Sequence, residues 1–193
     1  MSCPIPDHWT PWIGPAYDQR RLLILGESFY LLEDERGVLS PPAKDQPVKL
    51  VTDAFEGDAY RYRFNRMIVR ALAGREELAE DDWRTAWNDV AFTNYVTTVV
   101  DGRARARPDG EAWALAARAW PSLLACLRPR AIVVLGKAIW NNMPPEGYDA
   151  TDETYRVPNG ERAFCISLRH PAAGLSWHAL SDAIAEVEGR AGA

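Results

Sequence analysis

Two short apolar runs that end in glycine constrain the fold of this chain more than any other feature. The first is Leu22–Gly26 (LLILG) and the second is Ala131–Gly136 (AIVVLG). Neither run alternates with polar residues, which is typical of strands in a parallel sheet that helices cover on both faces. Helical patterns separate the runs along the chain, and this alternation predicts an α/β domain.

Hydrophobic spacing and the positions of Gly and Pro predict the remaining elements. We predict further strands over 89–96 and 162–168, and helices over 58–73, 75–87, 111–127, 137–142 and 176–188. Pro121 is expected to kink the helix that contains it. The charged, Pro-broken stretch 31–57 is predicted to be a long surface loop, and 1–19 an N-terminal extension. Residues 1–193 are expected to form one domain.

Composition and charge narrow the class of function. Of the 193 residues, 47% are hydrophobic and 25% are charged, as in globular domains. No apolar run reaches the roughly 18 residues of a membrane span, and the N-terminus lacks a signal pattern, so a cytoplasmic protein without membrane contact is expected. The net charge of −5 argues against a protein that coats nucleic acid by bulk charge, but it leaves a local basic cleft possible.

Cysteine and histidine give no metal pattern. Cys3, Cys126 and Cys165 are an odd, widely spaced set, which predicts no disulfide framework and is too small for a four-cysteine cluster. A reduced compartment is the simplest interpretation. The histidines are scattered too widely for a zinc site, and we predict neither a metal nor another cofactor.

The carboxyl ends of parallel strands are where α/β domains bind ligands, so the residues there are candidates for chemistry. Gly26, Glu27 and Ser28 follow the first apolar run. The glycine permits a tight turn. The Glu27 carboxylate either orients a water molecule or caps the next helix. Ser28 lacks the Gly-x-Ser-x-Gly context of a nucleophilic serine.

An amide and an imidazole stand at two further strand ends. Asn94 closes the predicted strand 89–96, and its amide suits the planar edge of a nucleobase, although Asn is also common in turns. His170 follows the strand 162–168, and a neutral imidazole N–H there donates to negative charge that develops on a substrate oxygen. A histidine that bonds only to its own loop is the alternative. His8 and His178 are interpreted as structural.

Aromatic and arginine side chains are further candidates for ligand contacts, although each type also has an ordinary structural role. Stacking of an aromatic ring on a base contributes about 1–3 kcal/mol of binding free energy, but most aromatic rings in proteins pack in the hydrophobic core. The aromatic candidates are Phe29, Tyr30, Phe64 and Trp177. Arginines contact phosphates, but most form solvated surfaces with nearby acids. The arginine candidates are Arg61, Arg63, Arg66 and Arg70, and Arg103, Arg105 and Arg107.

Taken together, these residues resemble the uracil-DNA glycosylase superfamily. Four segments carry the resemblance in order between about residues 20 and 180: LLILGESFY at 22–30, Phe92-Thr93-Asn94, the stretch 107–136, and HPAAGLS at 170–176. The stretch 107–136 is similar to the branch whose first motif reads Gly-Glu-Ala-Pro-Gly. The resemblance implies a three-layer α/β/α sandwich around a four-stranded parallel sheet.

The resemblance also implies an enzyme that extrudes a damaged base from DNA and cleaves its bond to the sugar. By that resemblance Asn94 reads the base edge and His170 donates to a carbonyl of the leaving base. The turn at Glu27 and Ser28 lies beside the sugar and the attacking water.

Base binding in the family further implies an aromatic platform and a wedge. Here Phe29, Tyr30 or Phe64 would stack on the base beside Gly26. Leu175 would enter the space that the base leaves in the DNA.

Departures from the family pattern keep several functions open. Ser28 and Phe29 stand where active members usually carry Asp, Asn or Ala followed by Pro, and the cysteines are too few for the iron–sulfur cluster of the Gly-Glu-Ala-Pro-Gly branch.

The first hypothesis is a glycosylase-like hydrolase that removes uracil or another deaminated base from DNA. The second is a catalytically weak or inactive module that binds a nucleobase, a nucleic acid or a protein. The third is a small-molecule hydrolase with Glu27 as base. DNA or a free nucleobase is the expected partner, and a monomer is expected.

Overall fold

The structure, a computed structural model, describes residues 5, 8–33, 37–56, 63–100, 106–158 and 160–192. Its main sheet contains β1 (Trp12–Ile13), β2 (Leu22–Gly26), β6 (Val90–Asn94), β8 (Ala131–Leu135), β9 (Tyr148–Asp149), β10 (Thr154–Arg156) and β11 (Arg162–Leu168). Two small sheets are formed by β3 (Phe29–Tyr30) with β7 (Val99–Val100), and by β4 (Leu32–Glu33) with β5 (Leu39–Ser40).

The order of the main sheet places four parallel strands beside one another. Across the described residues the order is β1-β6-β2-β8-β11-β10-β9, and the pairs β6–β2, β2–β8 and β8–β11 are parallel. Both outer flanks are antiparallel. The chain is therefore α/β, as predicted, and its main sheet is large and mixed. Because parallel strands point the same way, their carboxyl ends meet at one edge, where Gly26 lies opposite Asn94.

Helices cover both faces of this sheet. They are α1 (Tyr17–Arg20), α2 (Gln46–Glu56), α3 (Arg63–Ala73), α4 (Asp82–Thr85), α5 (Gly110–Leu127), α6 (Lys137–Asn142) and α7 (Trp177–Gly192). Alternate residues of β2 enter two separate cores. Leu23 and Leu25 pack with residues of α5, whereas Leu22 and Ile24 pack with residues of α3 and α7.

Helix α5 confirms the predicted helix at 111–127. It begins after Asp109, whose side chain accepts a hydrogen bond from Ala112 N at 2.8 Å, and it ends at Arg128, which adopts a left-handed conformation. Pro121 lies inside the helix without ending it. The short helix predicted at 137–142 is confirmed as α6, and Ser176 caps α7 by accepting from Ala179 N.

The prediction of a surface loop over 31–57 is wrong for most of its length. The segment contains β4, β5 and the eleven-residue helix α2. Pro47 lies in the first turn of that helix, where a missing N–H costs nothing. Val51 and Ala54 are buried in the core with α3, so burial of an apolar helix face outweighs the polar composition.

Of two other helix predictions, one is confirmed over its described residues and the other is wrong over most of its length. The structure describes the predicted helix 58–73 from Arg63 onward, and residues 58–62 lie outside the described residues. In the predicted helix 75–87, only Asp82–Thr85 is α-helical. Trp83 and Trp87 in this region are buried, so their apolar spacing reflects core contacts rather than a continuous helix.

The cysteines also differ from the prediction. Cys126 is disulfide-bonded, whereas Cys165 is a buried free thiol. The sequence predicted no disulfide framework and a reduced compartment, and it did not predict the bond at Cys126, because spacing along a chain does not reveal which thiols approach in space. Cys3 lies outside the described residues. In the parts of the chain that the structure describes, no helix is long and apolar enough to cross a membrane.

Candidate functional site

A cavity of about 610 Å³ opens at the carboxyl edge of the parallel strands. Ligand pockets typically enclose about 300–1,000 Å³, so it has room for a small molecule. Its lining residues are Gly26, Glu27, Ser28, Phe29, Tyr30, Leu50, Phe64, Asn65, Phe92, Asn94, Leu135 and His170. Every residue to which the resemblance gave a role lines this cavity except Leu175. The further candidates Trp177, Arg63, Arg66, Arg70 and Arg107 do not line it. The carboxylate, the amide and the imidazole, far apart along the chain, meet at one place.

Gly26 makes room for the side chain of Asn94. A Cβ atom at position 26 would lie 2.1 Å from Asn94 Oδ1, far inside contact distance. Backbone pairing continues beyond β2 and β6, because Gly26 O accepts from Tyr95 N at 2.8 Å and Glu27 O accepts from Val96 N at 2.9 Å. Asn94 is only 5% exposed, and its amide makes no hydrogen bond within the described residues. The amide is therefore held in place and remains available to a ligand.

Glu27 is a buried carboxylate that pairs with Arg107. It is 4% exposed, and Arg107 Nη1 donates to its two carboxylate oxygens at 3.2 and 3.1 Å. The Arg107 side chain is itself 70% exposed, so the cation reaches Glu27 from solvent. A buried carboxylate needs such compensation. The sequence left Arg107 open between a phosphate contact and a pair with a nearby acid, and here it pairs with Glu27. Arg103 and Arg105 lie outside the described residues.

His170 presents one defined tautomer when neutral. It directly follows the strand region of β11 and caps a short 3-10 turn, Pro171–Ala173, in which Ala172 N donates to His170 Nδ1 at 3.1 Å. Since Nδ1 accepts, the neutral ring carries its proton on Nε2. Burial is the largest cause and lowers the pKa of His170. The charge of Glu27 raises this pKa, and the charge of Arg107 lowers it further. The imidazole is thus a neutral N–H donor at neutral pH.

Ser28 and the aromatic rings complete the walls. Ser28 Oγ is buried and has no hydrogen-bond partner in the part of the chain described. Phe64 and Phe92 have ring centroids 5.8 Å apart. Phe29 packs edge-on against Trp9 at 4.9 Å, and the indole N–H of Trp9 donates to Val96 O. The cavity is therefore mainly apolar, with a few fixed polar groups.

Sequence reasoning missed Asn65 and Leu50. Asn65 is 1% exposed, and its Nδ2 donates to Leu50 O at 3.1 Å, which joins α3 to α2 at the cavity wall. A signal was present: Asn65 shares a helical face with Ile68 and Val69, which follow it by three and four residues. A polar side chain on an apolar face indicates a specific contact.

Leu175 lies apart from this cavity. It lines a neighbouring cleft of about 370 Å³ that contains arginines of α3. The other two histidines are also outside the cavity lining. His8 is buried and its Nδ1 bonds to Trp9 O, and His178 stacks on Trp177 with ring centroids 3.7 Å apart.

No family model matches this chain, and no curated protein matches it. Among the described residues, no cluster of three or more His, Cys, Asp or Glu side chains is arranged to hold a metal ion. The function is therefore inferred from the geometry of the cavity.

Proposed function

We propose that this chain hydrolyses the bond between the sugar and a damaged base, uracil or another deaminated base, in DNA. The observation that carries the proposal is the convergence of Glu27, Asn94 and His170 on one cavity with aromatic walls. The proposal includes the finer fold description, a three-layer α/β/α sandwich like that of uracil-DNA glycosylases. Four adjacent parallel strands with helices on both faces support that description.

The leaving base needs stabilisation of its negative charge, and His170 is suited to provide it. When the N-glycosidic bond breaks, the bonding electron pair goes to the base and charge grows on its carbonyl oxygen. In this proposal the neutral Nε2–H of His170 donates to that oxygen. A fixed donor in a partly desolvated site stabilises such charge without reorganisation. The lowered pKa of His170 supports this role, because it keeps the ring neutral at neutral pH.

Recognition of the base falls to Asn94 and the rings. The Asn94 amide has both donors and an acceptor, which match the adjacent N–H and carbonyl of a uracil edge. Its burial and the space left by Gly26 hold it in one orientation. Phe64, a half-buried ring in the cavity lining, offers apolar surface for the face of a flat ring.

Glu27 acts on the sugar side of the bond. The sugar becomes positively charged as the base departs, and a buried carboxylate stabilises that charge. It also accepts a proton from the attacking water, whose oxygen forms the new bond to the sugar carbon. The exposed Arg107 pairs with Glu27 from the solvent side of the site.

A second function, a binding module of the same fold without catalysis, is favoured by one observation. Glu27 is already engaged by Arg107, and Ser28 Oγ has no base beside it within the described residues. Such a module would bind the base through Asn94 and His170 and release it unchanged.

The two functions separate in a scission assay. Single- and double-stranded oligonucleotides that carry uracil, hypoxanthine or xanthine are incubated with the protein and then treated with alkali. We expect strand scission at the modified base, and a loss of about 10²–10³-fold in rate for His170→Ala, the size of effect seen when one charge-stabilising donor is removed. Asn94→Ala should also lose the activity.

Matched variants control for folding. His170→Gln retains an N–H donor and should keep more activity than His170→Ala. Asn142→Ala removes an exposed amide on α6 that lines no part of the cavity, and it should leave the rate unchanged. Absence of scission from every substrate, with binding of the modified oligonucleotide retained, would contradict the enzyme and support the binding module.

A further inference from the structure

A cleft rich in arginine lies beside the proposed base cavity. It encloses about 370 Å³ and is lined by Arg63, Arg66, Met67, Arg70, Leu175, Ser176 and Trp177. All of the charged side chains in this lining are cations. The cleft therefore attracts anions even though the chain as a whole has a net charge of −5.

The three arginines form one row along α3. They follow one another at intervals of three and four residues, which places them on the same face of the helix. Within the described residues, Arg63 and Arg70 form no ion pair, and Arg70 Nε is buried without a hydrogen-bond partner. An arginine face balanced by neighbouring acids would not show this. Arg63 and Arg70 therefore retain positive charge and donors for a ligand.

The cleft and the cavity are built from the same two elements. Helix α3 supplies Phe64 and Asn65 to the cavity and the arginine row to the cleft. The segment after β11 places His170 in the cavity and Leu175 in the cleft. A polymer whose base enters the cavity therefore has its backbone next to the arginines.

An aromatic ring borders the arginine row. Trp177, the first residue of α7, is half-buried and lines the cleft, and its ring is held by stacking on His178. A basic groove flanked by an aromatic ring is the usual surface for a single nucleic-acid strand, because arginines follow the backbone and the ring stacks on a base.

We infer that this cleft binds the phosphodiester backbone of a single DNA strand, next to the nucleotide whose base occupies the cavity. This inference rests on the proposed function and adds where the strand that carries the damaged base lies on the protein. The row from Arg63 to Arg70 covers roughly 10 Å of helix axis at about 1.5 Å per residue. That length spans more than one phosphate, since a DNA strand advances about 3.4 Å per nucleotide along the duplex axis.

The test measures the binding of a labelled single-stranded oligonucleotide without damaged bases, by fluorescence anisotropy over a range of salt concentrations. The variant Arg63→Gln/Arg70→Gln removes two charges from the cleft. The control Arg118→Gln/Arg156→Gln removes two charges from exposed arginines of α5 and β10 that line neither cavity nor cleft.

We expect affinity about tenfold lower for the cleft variant at low salt. The slope of log affinity against log salt should be shallower by about 1.4, because each phosphate that is no longer neutralised reduces it by about 0.7. The control should bind like the original protein.

Further variants separate charge from packing and this inference from the proposed function. Arg63→Lys/Arg70→Lys keeps both charges and should keep the salt slope. Asn94→Ala should bind the undamaged strand normally, because that amide lies in the cavity. If the protein cuts no damaged strand but the cleft variant still loses binding selectively, the proposed function fails and strand binding stands.

The opposite pattern overturns the inference alone. If the protein cuts damaged strands while the cleft variant binds and cuts as well as the control, the arginines do not hold the backbone. Selective loss of binding to vesicles of anionic lipid, with oligonucleotide binding unchanged, would also overturn it and assign the cleft to a membrane surface.

Discussion

At the scale of single residues, the position of Asn94 depends on the absence of a side chain at Gly26. We predict that Gly26→Ala destabilises the fold by about 1–3 kcal/mol, the usual cost of forcing extra atoms into a packed site. The reason is the 2.1 Å approach of the added Cβ to Asn94 Oδ1. Urea unfolding measures the loss, and base binding should fall with it because the amide is displaced.

A double substitution tests this explanation directly. Asn94→Ala removes the amide atoms that the new Cβ would meet, and the next nearest side-chain contact at Gly26, to Phe92, is an ordinary 3.5 Å. Gly26→Ala should therefore cost much less in the Asn94→Ala background than alone. Equal costs in both backgrounds would show that the clash with Asn94 is not the cause.

Burial is the largest influence on the pKa of His170, and two charged neighbours modify it. Burial lowers this pKa, Glu27 raises it and Arg107 lowers it further. We predict that Arg107→Gln raises the pKa of His170 and that Glu27→Gln lowers it further, as measured by NMR titration of the imidazole. The pKa of His8, which burial lowers and to which neither residue contributes, should not move and is the internal control.

The same shift has a consequence for stability. The folded pKa of His170 lies below the unfolded value of 6.5, so between these two pH values the unfolded chain binds more protons. The contribution of this group to stability is complete above pH 6.5 and falls as the pH drops through that window.

The sequence predicted which residues meet at the strand ends, but it did not predict which side chains pair with them. Asn94 and His170 follow strands whose apolar runs are visible in the sequence, and parallel pairing brings strand ends together by geometry. The pairing of Glu27 with Arg107 joins residues eighty positions apart through a surface side chain. No periodicity or local motif encodes such a contact, and the sequence therefore left Arg107 between a phosphate contact and a pair with an acid that it could not name.

At the scale of elements, strong local signals predicted helices correctly. Local signals failed for a helix whose formation depends on burial in the core. The helix at 111–127 carries both a cap and a long apolar face, and it was predicted within one residue of its observed bounds. Helix α2 was missed because Pro47 and the charged residues around it favour a loop locally. Its Val51 and Ala54 are fully buried, so tertiary contacts that the sequence does not display stabilise the helix.

The cap of α5 gives a prediction at this scale. Asp109→Ala removes the bond to Ala112 N and should lower the free energy of unfolding by about 1 kcal/mol, a typical cost for a lost N-cap. Asp109→Asn keeps an accepting oxygen and should cost far less. Urea unfolding of both variants distinguishes the cap from a general effect of removing the charge, which would make the two substitutions equally costly.

At the scale of the whole molecule, one partly buried arginine joins distant parts of the chain. Arg20 at the end of α1 donates to Glu188 of α7 through Nε at 2.5 Å and Nη2 at 3.1 Å, and to Asp89, just before β6, at 3.3 Å. Two acids around one cation repel each other when the cation is absent. Because Arg20 is only 24% exposed, solvent screens these groups less than it screens a surface pair.

This arrangement predicts how much stability the fold loses without Arg20. It also predicts whether the effects of removing Arg20 and Glu188 add. Arg20→Ala should destabilise the fold by about 1–3 kcal/mol, since it removes charge-assisted hydrogen bonds and leaves two carboxylates close together. Glu188→Ala in the Arg20→Ala background should then cost little or even stabilise, because it relieves that repulsion. Arg118→Ala, on the exposed face of α5, is the control and should change stability by less than about 0.5 kcal/mol. Additive losses for Arg20 and Glu188 in chemical denaturation would mean that the two side chains act independently, and that α7 is held against the sheet by its apolar face alone.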